Sequence, residues 1–338
     1  MKVRENPSLR NLNTFGLDAT AGLLLEIENE EDLLNAPALD PARDLVLGGG
    51  SNVVLVDNVP GTVFLNRIRG IAVVGEDGDT RLIEAGAGEN WHGLVEWSLA
   101  QGLSGLENLS LIPGSTGAAP IQNIGAYGVE LESVLDTVTC WDWRDGRWVV
   151  FDRDDCRLGY RDSRFKQEPD RNLVTSVRLR LKRSFEPVLA YAGLAEELER
   201  AGIVRPTARD VSEAVIRIRR RKLADPAVEG NAGSFFKNPV VASAVAAELQ
   251  ARHPDLPAWL QADGRRKLSA GWLIDACGLK GFAVGGAAVS ERHALVLVNR
   301  GGATGRDVAA LAARIQTRVA DRFGVELEPE PRLVRFNG

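Results

Sequence analysis

The chain has 338 residues, 44% of them hydrophobic and 26% charged, which supports more buried core than one typical domain needs. Its formal net charge of −5 disfavours nucleic acid and membrane surfaces as partners, because phosphates and anionic lipids repel an acidic protein. The first residues contain no apolar core of signal-peptide length, and no later stretch offers about 18 consecutive apolar residues. We therefore expect a cytoplasmic protein of two or three domains. The oligomeric state stays open, with a monomer as one option.

Cysteine and histidine are scarce and widely spaced. The chain contains three of each, at Cys140, Cys156, Cys277, His92, His253 and His293. No C-x-x-C or H-E-x-x-H pattern occurs among them. We expect no disulfide framework and no metal site, and we expect the cysteines to be small buried residues.

The first part of the chain predicts strands around a glycine turn, followed by a helix. In residues 44–57, DLVLGGGSNVVLVD, β-forming residues flank the glycines on both sides, so we predict strand, turn and strand. The segment GAGENWHGLVEWSLAQG then places Trp91, Leu94 and Leu99 at helical spacing. Gly102 is expected to end this short amphipathic helix.

Strand patterns give way to helix further along. Residues 177–182, VRLRLK, alternate apolar and cationic side chains, which predicts a strand with one buried face. After Pro206, TARDVSEAVIRIRRRKLADP opens with a cap-like Thr207 and has apolar residues at roughly helical spacing before Pro226. The last helix is predicted over 305–323, followed by the strand-like VELEPEPRLVRF.

Two loops rich in glycine and small residues are candidates for anion binding. GGGSN occupies residues 48–52, and PGSTGAAPIQNIGAYG occupies residues 113–128. Glycine lets backbone N–H groups converge on a pyrophosphate without a basic side chain; the alternative is a pair of tight turns. The G-x-G-x-x-G fingerprint fails at its third glycine. The second loop carries Thr116, Gln122 and Asn123, which suit a flat heterocycle.

Two further segments carry candidate cations and a candidate serine. GYRDSRFK, residues 159–166, could hold a guanidinium for a carboxylate or could be solvated surface. IRIRRRKLADPAVEGNAGSFFKNP, residues 216–239, has four consecutive cations ending in Lys222, either a solvated face or an anion site. Ser234 lacks the G-x-S-x-G pattern of a hydrolase, so we do not expect a nucleophile.

Eight motifs occur in the order of one enzyme family: NTFGL, LGGGSNVVL, IPGSTGAAPIQNIGAYGVEL, GYRDSRFK, GNAGSFFKNPVV, AGWLIDACGLKG, GGAAV and LEPE. The chain resembles the UDP-N-acetylenolpyruvoylglucosamine reductases, flavoenzymes of peptidoglycan precursor synthesis, over nearly its whole length. PVLAYAGL, which contains Tyr191, is similar to the subtype with an extra substrate-covering loop. Pro331 departs from the family pattern, which usually has valine there.

The resemblance implies an α+β fold with an FAD-binding unit of the vanillyl-alcohol-oxidase type. This unit would comprise one subdomain of residues 1–68, completed by 323–338, and a second subdomain of residues 69–205. An α+β substrate-binding domain would span 206–322. A cofactor fold of this kind would explain why the dinucleotide fingerprint is missing.

The resemblance also implies non-covalent FAD as cofactor and NADPH as co-substrate. The two glycine loops would hold the pyrophosphate and the flavin. The residues that match cofactor-binding positions are Gly48, Gly49, Gly50, Ser51, Asn52, Pro113, Gly114, Ser115, Thr116, Gly117, Ala118, Gln122, Asn123, Gly125, Ala126 and Tyr127.

The implied reaction has two halves. NADPH reduces the flavin, which then delivers hydride to the terminal enolpyruvyl carbon, giving UDP-N-acetylmuramate. Charge develops on the adjacent carboxylate, so the site needs cations and a proton source. By resemblance, Ser234 is the proton donor, Arg161 the carboxylate-stabilising cation and Glu330 the electrostatic partner near the enol. Tyr160, Tyr191, Lys222, Asn238 and His293 match substrate-contacting positions, and Lys222 suits a UDP phosphate.

Two other classes of protein remain open. A flavin oxidase could share the FAD-binding unit, but it would not need the cation run or Ser234. A non-catalytic nucleotide-sugar binder would keep the cation run and have no use for two glycine loops.

Overall fold

The computed structural model describes residues 1–191 and 193–336. The chain forms two compact units. The first unit comprises Met1–Pro7, Thr20–Gly50 and Val59–Arg221, and the second comprises Ser8–Ala19, Ser51–Asn58 and the chain from Lys222 onward. The predicted boundaries at residues 68, 205 and 322 stay predictions. Within these described ranges, no helix is long and apolar enough to cross a membrane.

Helices and strands alternate irregularly along the chain. The helices are α1 (Glu30–Leu34), α2 (Trp91–Ala100), α3 (Arg164–Gln167), α4 (Leu194–Arg200), α5 (Ala208–Lys222), α6 (Ser243–Arg252), α7 (Ala270–Ala276) and α8 (Gly305–Phe323). The strands are β1 (Lys2–Glu5), β2 (Ala21–Ile27), β3 (Leu45–Leu47), β4 (Val53–Leu55), β5 (Val59–Asn66), β6 (Ile71–Asp77), β7 (Thr80–Gly86), β8 (Gly125–Ala126), β9 (Val129–Glu130), β10 (Leu135–Asp142), β11 (Arg147–Asp152), β12 (Asn172–Lys182), β13 (Gly230–Ser234), β14 (Val240–Val241), β15 (Ala258–Leu260), β16 (Arg266–Leu268), β17 (Ala283–Val284), β18 (Ala287–Val289), β19 (Val296–Asn299) and β20 (Arg332–Val334).

The first unit contains two main sheets. One has the order β1-β2-β5-β3, in which β2, β5 and β3 run parallel. The other is antiparallel, with the order β11-β10-β12-β7-β6. In β12, Val177, Leu179 and Leu181 are fully buried, which confirms the predicted alternation. The strand, glycine turn and strand predicted over 44–57 are also confirmed, as β3 and β4.

Helix α2 packs against the antiparallel sheet. Trp91, Leu94 and Val95 are buried in the same core as Ile83 of β7, because the apolar positions recur at helical spacing. Asn90 caps the helix by accepting a hydrogen bond from the backbone N–H three residues later. The predicted helix is confirmed, and it brings its first turn next to the second glycine loop.

Helix α5 carries the cation run. Its N-terminus is capped as predicted: the Asp210 N–H donates to Thr207 Oγ1 at 3.2 Å, and the Thr207 N–H donates back to Asp210 Oδ2 at 2.8 Å. Val211 and Val215 pack with Leu198 of α4. One face of α5 is therefore buried.

In the second unit, α8 packs in the largest core. It begins at a capping box formed by Thr304 and Asp307 and ends at Gly324, whose φ is 65°, so the predicted helix over 305–323 is confirmed. The following segment was predicted to be strand-like; it contains an isolated bridge between Pro329 and Phe236 and then the short strand β20. Pro329 and Pro331 explain why the pairing is interrupted, because proline cannot donate to a sheet.

The cysteines differ in burial. Cys140 and Cys156 are fully buried, and burial raises the pKa of the Cys156 thiol to about 12. Cys277 is partly exposed, so the prediction that all three cysteines are buried is wrong for this residue. Among the described residues, no cluster of His, Cys, Asp and Glu side chains could hold a metal ion.

Candidate active site

The predicted site residues fall into both compact units. The first unit holds Gly48, Gly49, Gly50, Pro113, Gly114, Ser115, Thr116, Gly117, Ala118, Gln122, Asn123, Gly125, Ala126, Tyr127, Tyr160, Arg161 and Tyr191. The second unit holds Ser51, Asn52, Lys222, Ser234, Asn238, His293 and Glu330. Each group is described within its own unit.

The first glycine loop lies directly against the second. The Gly49 N–H donates to Ser115 Oγ at 3.3 Å. A Cβ on Gly48 would lie 2.4 Å from Ser115 Oγ, and one on Gly49 would lie 2.7 Å from Gly114 Cα. Gly50 has a φ of 62°, which L-residues rarely adopt. Only glycine therefore allows the two loops to approach this closely. Such close backbone approach is what the predicted anion-binding role of the loops needs.

The second loop is shaped by the chain that leads into α2. The Thr116 N–H donates to Glu89 O at 2.8 Å, and the Gly117 N–H donates to Ala87 O at 2.9 Å. A Cβ on Gly117 would lie 2.4 Å from Ala87 Cβ. Thr116 is fully buried, yet its Oγ1 has no hydrogen-bond partner within the described chain. An unsatisfied buried hydroxyl costs about 1–3 kcal/mol. The orphaned hydroxyl and the close-packed glycines both fit a cofactor held by this loop.

Asn123 organises the middle of the second loop. Its φ is 44° and its side chain is fully buried. Its Nδ2 donates to Glu130 Oε2 at 3.0 Å and to Gly159 O at 3.2 Å, and its Oδ1 accepts the Glu132 N–H at 3.0 Å. Both amide hydrogens are thus used by the chain itself. A contact between Asn123 and the cofactor stays a prediction.

Arg161 is attached to the same loop. Its Nη2 donates to Gly125 O at 2.7 Å, and its Cζ lies 5.5 Å from the centre of the Tyr160 ring. The backbone of Arg161 has a φ of 55°, and its carbonyl accepts a hydrogen bond from Lys166 Nζ at 3.2 Å. The fold therefore brings the GYRDS motif onto the predicted flavin loop, a proximity that the sequence does not reveal.

Two buried polar residues outside the predicted set hold these segments together. Ser163 is fully buried and donates from Oγ to Ile121 O at 2.6 Å. Asn108 is also fully buried, and its Nδ2 donates to Tyr127 O at 2.8 Å and to Val188 O at 2.9 Å. In the sequence both residues have charged neighbours, Asp162 and Arg164 beside Ser163 and Glu107 before Asn108, so nothing there distinguishes them from exposed residues.

Tyr191 lies against the end of the second loop. Its ring makes an edge contact with Tyr127, with centroids 4.9 Å apart, and 42% of its surface is exposed. Arg219 of α5 faces the same phenol: burial lowers the pKa of the Arg219 guanidinium, and Tyr127 partly offsets that effect. The structure thus brings a substrate-binding candidate and a cofactor-binding candidate into contact.

A single carboxylate, that of Glu197, binds some of the cations on α5. Glu197 of α4 is nearly buried and accepts hydrogen bonds from Arg221 at 2.7 Å, Arg217 at 3.0 Å and Arg200 at 3.0 Å. These arginines, Arg221 foremost, lower the pKa of Glu197 to about 2. Arg221 therefore joins α5 to α4. Both Arg221 and Lys222, the last residue of the helix, are exposed.

Ser234 lies at the end of a bulged strand in the second unit. Strand β13 pairs with β19, and the register shifts between Asn231 and Ser234. Gly233, with a φ of 71°, occupies the bulge, and its N–H donates to Asn231 Oδ1 at 2.9 Å. Asn231, which is buried and was not predicted, thus helps to set the direction of the serine.

Glu330 lies beside the Ser234 turn. Its N–H donates to the carbonyl of Phe235, the residue after the serine, at 2.8 Å. Asn52 hydrogen-bonds to the backbone on both sides of Pro331. Its Nδ2 donates to Glu330 O at 3.4 Å, and its carbonyl accepts the Arg332 N–H at 3.0 Å. Pro331 lies between Glu330 and Arg332, whose N–H groups donate to Phe235 O and Asn52 O, and these hydrogen bonds do not require an N–H from residue 331. The proline is thus compatible with the backbone position of Glu330.

Lys222, His293 and Asn238 also belong to the second unit. Burial, followed by the positive charge of Lys222, lowers the pKa of His293. His293 Nδ1 accepts the Leu295 N–H at 3.2 Å, and Asn238 Oδ1 accepts the Ala270 N–H at 3.0 Å. Lys222 therefore lies close enough to His293 for its charge to affect the pKa of that ring, whereas Asn238 contacts the start of α7.

Comparison with known proteins decides the family. Residues 225–334 match the family described as UDP-N-acetylenolpyruvoylglucosamine reductase, C-terminal domain, and residues 23–152 match an FAD binding domain. The chain is 55% identical to the UDP-N-acetylenolpyruvoylglucosamine reductase of Pseudomonas aeruginosa over 336 residues, covering 98% of this chain and 99% of the relative. The chain belongs to the UDP-N-acetylenolpyruvoylglucosamine reductase family.

Further members support this assignment. The reductase of Azoarcus sp. is 54% identical over 341 residues, covering 99% of this chain and 98% of the relative. The crystal structure of the reductase from Thermus caldophilus matches with a TM-score of 0.69 at 29% identity, covering 99% of this chain and 100% of that one. The predicted reductase family, α+β fold and FAD cofactor are confirmed. The subtype with the extra tyrosine loop stays a prediction.

Proposed function

We propose that the chain reduces UDP-N-acetylenolpyruvoylglucosamine to UDP-N-acetylmuramate, with NADPH as the reductant and FAD as the cofactor. Membership of the reductase family supports the substrate. The observation that carries the proposal is the 2.7 Å hydrogen bond from Arg161 to Gly125, since it attaches a cation suited to carboxylates to the loop proposed to hold the flavin.

The cofactor is held by backbone more than by charge. When bound, FAD supplies a centre that accepts hydride from NADPH and passes hydride to the enolpyruvyl group. The two glycine loops, residues 48–52 and 113–117, hold the pyrophosphate, because glycine lets backbone N–H groups approach an anion closely. The N–H groups of Thr116 and Gly117 serve a different purpose, since they bind the second loop to residues 87–89. The buried Thr116 hydroxyl gains its missing partner from the cofactor.

Arg161 binds the substrate carboxylate. Hydride addition to the terminal enolpyruvyl carbon moves negative charge onto the adjacent carbon and its carboxylate. A guanidinium offers two parallel donors to that group and stays charged at all relevant pH values. The hydrogen bond to Gly125 and the left-handed backbone of Arg161 fix this cation before substrate binds, which lowers the cost of stabilising the developing charge.

Ser234 donates the proton that completes the reaction. A serine hydroxyl is a weak acid, so it transfers a proton only to a strongly basic carbon and only with help from neighbouring charge. Glu330 lies on the chain that pairs with the Ser234 turn and supplies that electrostatic help. The left-handed Gly233 forms the bulge immediately before the serine.

The nucleotide end of the substrate contacts the remaining candidates. Lys222, at the exposed end of α5, acts as a point charge for the diphosphate. Tyr160, Tyr191, Asn238 and His293 contact other parts of the substrate. The protein works in the cytoplasm, where NADPH is available, and a monomer contains all of these residues.

Two measurements on the native protein test the proposal. Heat or acid denaturation should release FAD into the supernatant, because the proposed binding loops contain no cysteine or histidine to form a covalent link. NADPH oxidation should depend on UDP-N-acetylenolpyruvoylglucosamine and yield a product with two more hydrogens by mass spectrometry. A colourless protein would favour a nucleotide-sugar binder, and oxygen uptake with a hydroxylated substrate would favour an oxidase.

A further inference from the structure

One residue at the entrance to the second glycine loop has an unusual backbone. Leu111, two residues before Pro113, has a φ of 59°, although leucine rarely adopts the left-handed conformation. Its N–H donates to the Nδ1 atom of His92 at 3.1 Å. A left-handed leucine persists only when surrounding contacts fix it. The bond to His92 is therefore part of what orients the chain as it enters the loop.

Hydrogen bonds between the second glycine loop and residues 87–91, before and at the start of α2, hold the loop in its conformation. Besides the bonds from Thr116 and Gly117 to residues 87–89, the Trp91 N–H donates to Gly114 O at 3.0 Å. These three bonds join backbone atoms and do not titrate. The bond from Leu111 to the imidazole differs, since it depends on the protonation state of a side chain.

Only a neutral imidazole can accept this hydrogen bond. A ring nitrogen accepts through its lone pair, so Nδ1 must be unprotonated and the proton of His92 must lie on Nε2. A protonated ring carries a hydrogen on both nitrogens. Protonation would thus oppose two donors, the Leu111 N–H and the Nδ1–H, and would remove the contact that fixes Leu111.

The surroundings of His92 favour the neutral ring. Burial lowers its pKa, Glu96 on the same helix opposes that shift, and Arg220 and Arg219 of α5 reinforce it. Glu96 Oε1 lies 3.9 Å from His92 Nε2, and its other oxygen lies 3.9 Å from Arg209 Nη1. A histidine whose pKa is lowered by folding destabilises the folded loop as the pH falls below the ordinary value of about 6.5.

We propose that His92 is a positioning residue for the second glycine loop and that it makes FAD binding depend on pH. The inference rests on the proposed role of this loop in FAD binding. Since the loop is oriented for FAD only while the ring is neutral, FAD affinity falls as the pH is lowered. By linkage, bound FAD keeps His92 neutral.

The test measures FAD dissociation constants of the full-length apoprotein, by flavin fluorescence, between about pH 7.5 and about pH 5.5. For the wild type we expect Kd to rise measurably over this range but by less than about tenfold, because the pKa of His92 lies below the ordinary value of about 6.5. H92N retains an amide oxygen near the position of Nδ1 and does not titrate, so its Kd should resemble the wild-type value at high pH and stay flat. H92L has no acceptor and should bind about tenfold more weakly throughout.

E96Q is the matched variant on the same helix. Because Glu96 raises the pKa of His92, its replacement should move the pH transition in FAD affinity to lower pH without changing Kd at high pH. A structural contribution from Glu96 would instead change Kd equally at all pH values. This comparison separates the electrostatics of His92 from general effects of pH on the protein.

A wild-type Kd that is flat with pH, together with H92L binding as tightly as the wild type, would overturn the inference. If H92L does not fold, as judged by circular dichroism, the slopes of the wild type and H92N still decide. If the wild type binds no FAD at any pH, the proposed function fails. Nitrogen NMR of His92 and amide exchange at Leu111 then test the positioning role alone, which requires the Nε2–H tautomer and a smaller protection factor at low pH, after correction for the intrinsic pH dependence of exchange.

Discussion

The two glycine loops and the cation run of α5 were both candidates for binding the anionic parts of a ligand, but they are built differently. In the loops, close backbone packing sets the shape of the candidate site: Gly48 and Gly49 approach Ser115 and Gly114 more closely than any Cβ permits. In the cation run, neighbouring side chains have different partners: Arg221 binds Glu197, and Arg219 faces Tyr127.

This difference shows which kind of sequence pattern can be interpreted. A glycine cluster has few explanations, because it reports a steric requirement on the backbone. A run of arginines and lysines reports only charge, and the fold decides which cation is structural. The predictions below therefore contrast a residue assigned to chemistry or binding with a neighbour assigned to structure.

Ser234→Ala should have the largest effect. Removal of a general acid costs about 10²- to 10⁴-fold, so stopped-flow reoxidation of the flavin by substrate should slow by that order, while its bleaching by NADPH is spared. Ser234→Cys should retain more activity, because a thiol still donates a proton. Reoxidation of the alanine variant at the wild-type rate would make the serine structural. Slower bleaching with normal reoxidation would place it in the nicotinamide site.

Gly49→Ala should weaken FAD binding by about 10- to 100-fold, since the added Cβ would meet the Gly114 backbone and overpacking of this kind typically costs about 1–3 kcal/mol. Equilibrium dialysis with FAD measures the effect. Gly93→Ala is the matched control in the same unit: it lies in α2, its Cβ would make only ordinary contacts at 3.6 Å, and FAD binding should be unchanged. Equal losses in both variants would refute the steric argument.

Lys222→Ala should raise the KM for the UDP substrate by about tenfold, with little change in flavin reduction at saturating NADPH. Arg221→Ala, one residue earlier, should leave KM close to the wild-type value and lower the urea midpoint of unfolding, because it leaves Glu197 with fewer partners. If the two variants exchange these phenotypes, the division of the cation run between binding and structure is wrong.

The smallest effect concerns the pH dependence of stability. The pKa of Glu197 is lowered from 4.5 to about 2, so its ion pairs stabilise the folded state above pH 4.5 and lose that contribution as the pH falls towards 2. Between neutral pH and pH 5, Glu197→Gln should therefore shift the urea midpoint by a constant amount. The gap between the variant and the wild type should narrow only at lower pH. A gap that changes around pH 6 would assign the effect to histidines instead.

Much of the fold could be predicted from local patterns. The periodicity of Val308, Leu311 and Ile315 predicts α8, and Thr207 marks the start of α5, because helix spacing and capping are local properties. The strand-like pattern after α8 gives a regular strand only from Arg332, because Pro329 and Pro331 cannot donate to a sheet.

The candidate site was predicted mainly through its glycines and through resemblance. The buried residues that hold it, Asn108, Ser163 and Asn231, could not be predicted, because a polar residue reveals its burial only when the fold supplies its partners. The same limit applies to His92: its sequence neighbours give no hint that its ring accepts a hydrogen bond from Leu111.

The most direct test of the proposed reaction is an anaerobic single-turnover titration of the native protein. NADPH should bleach the flavin absorbance, and subsequent addition of UDP-N-acetylenolpyruvoylglucosamine should restore the oxidised spectrum and yield UDP-N-acetylmuramate in amounts equal to the flavin. If the spectrum stays bleached after substrate is added, or recovers only when oxygen is admitted, the proposed reductase reaction is contradicted.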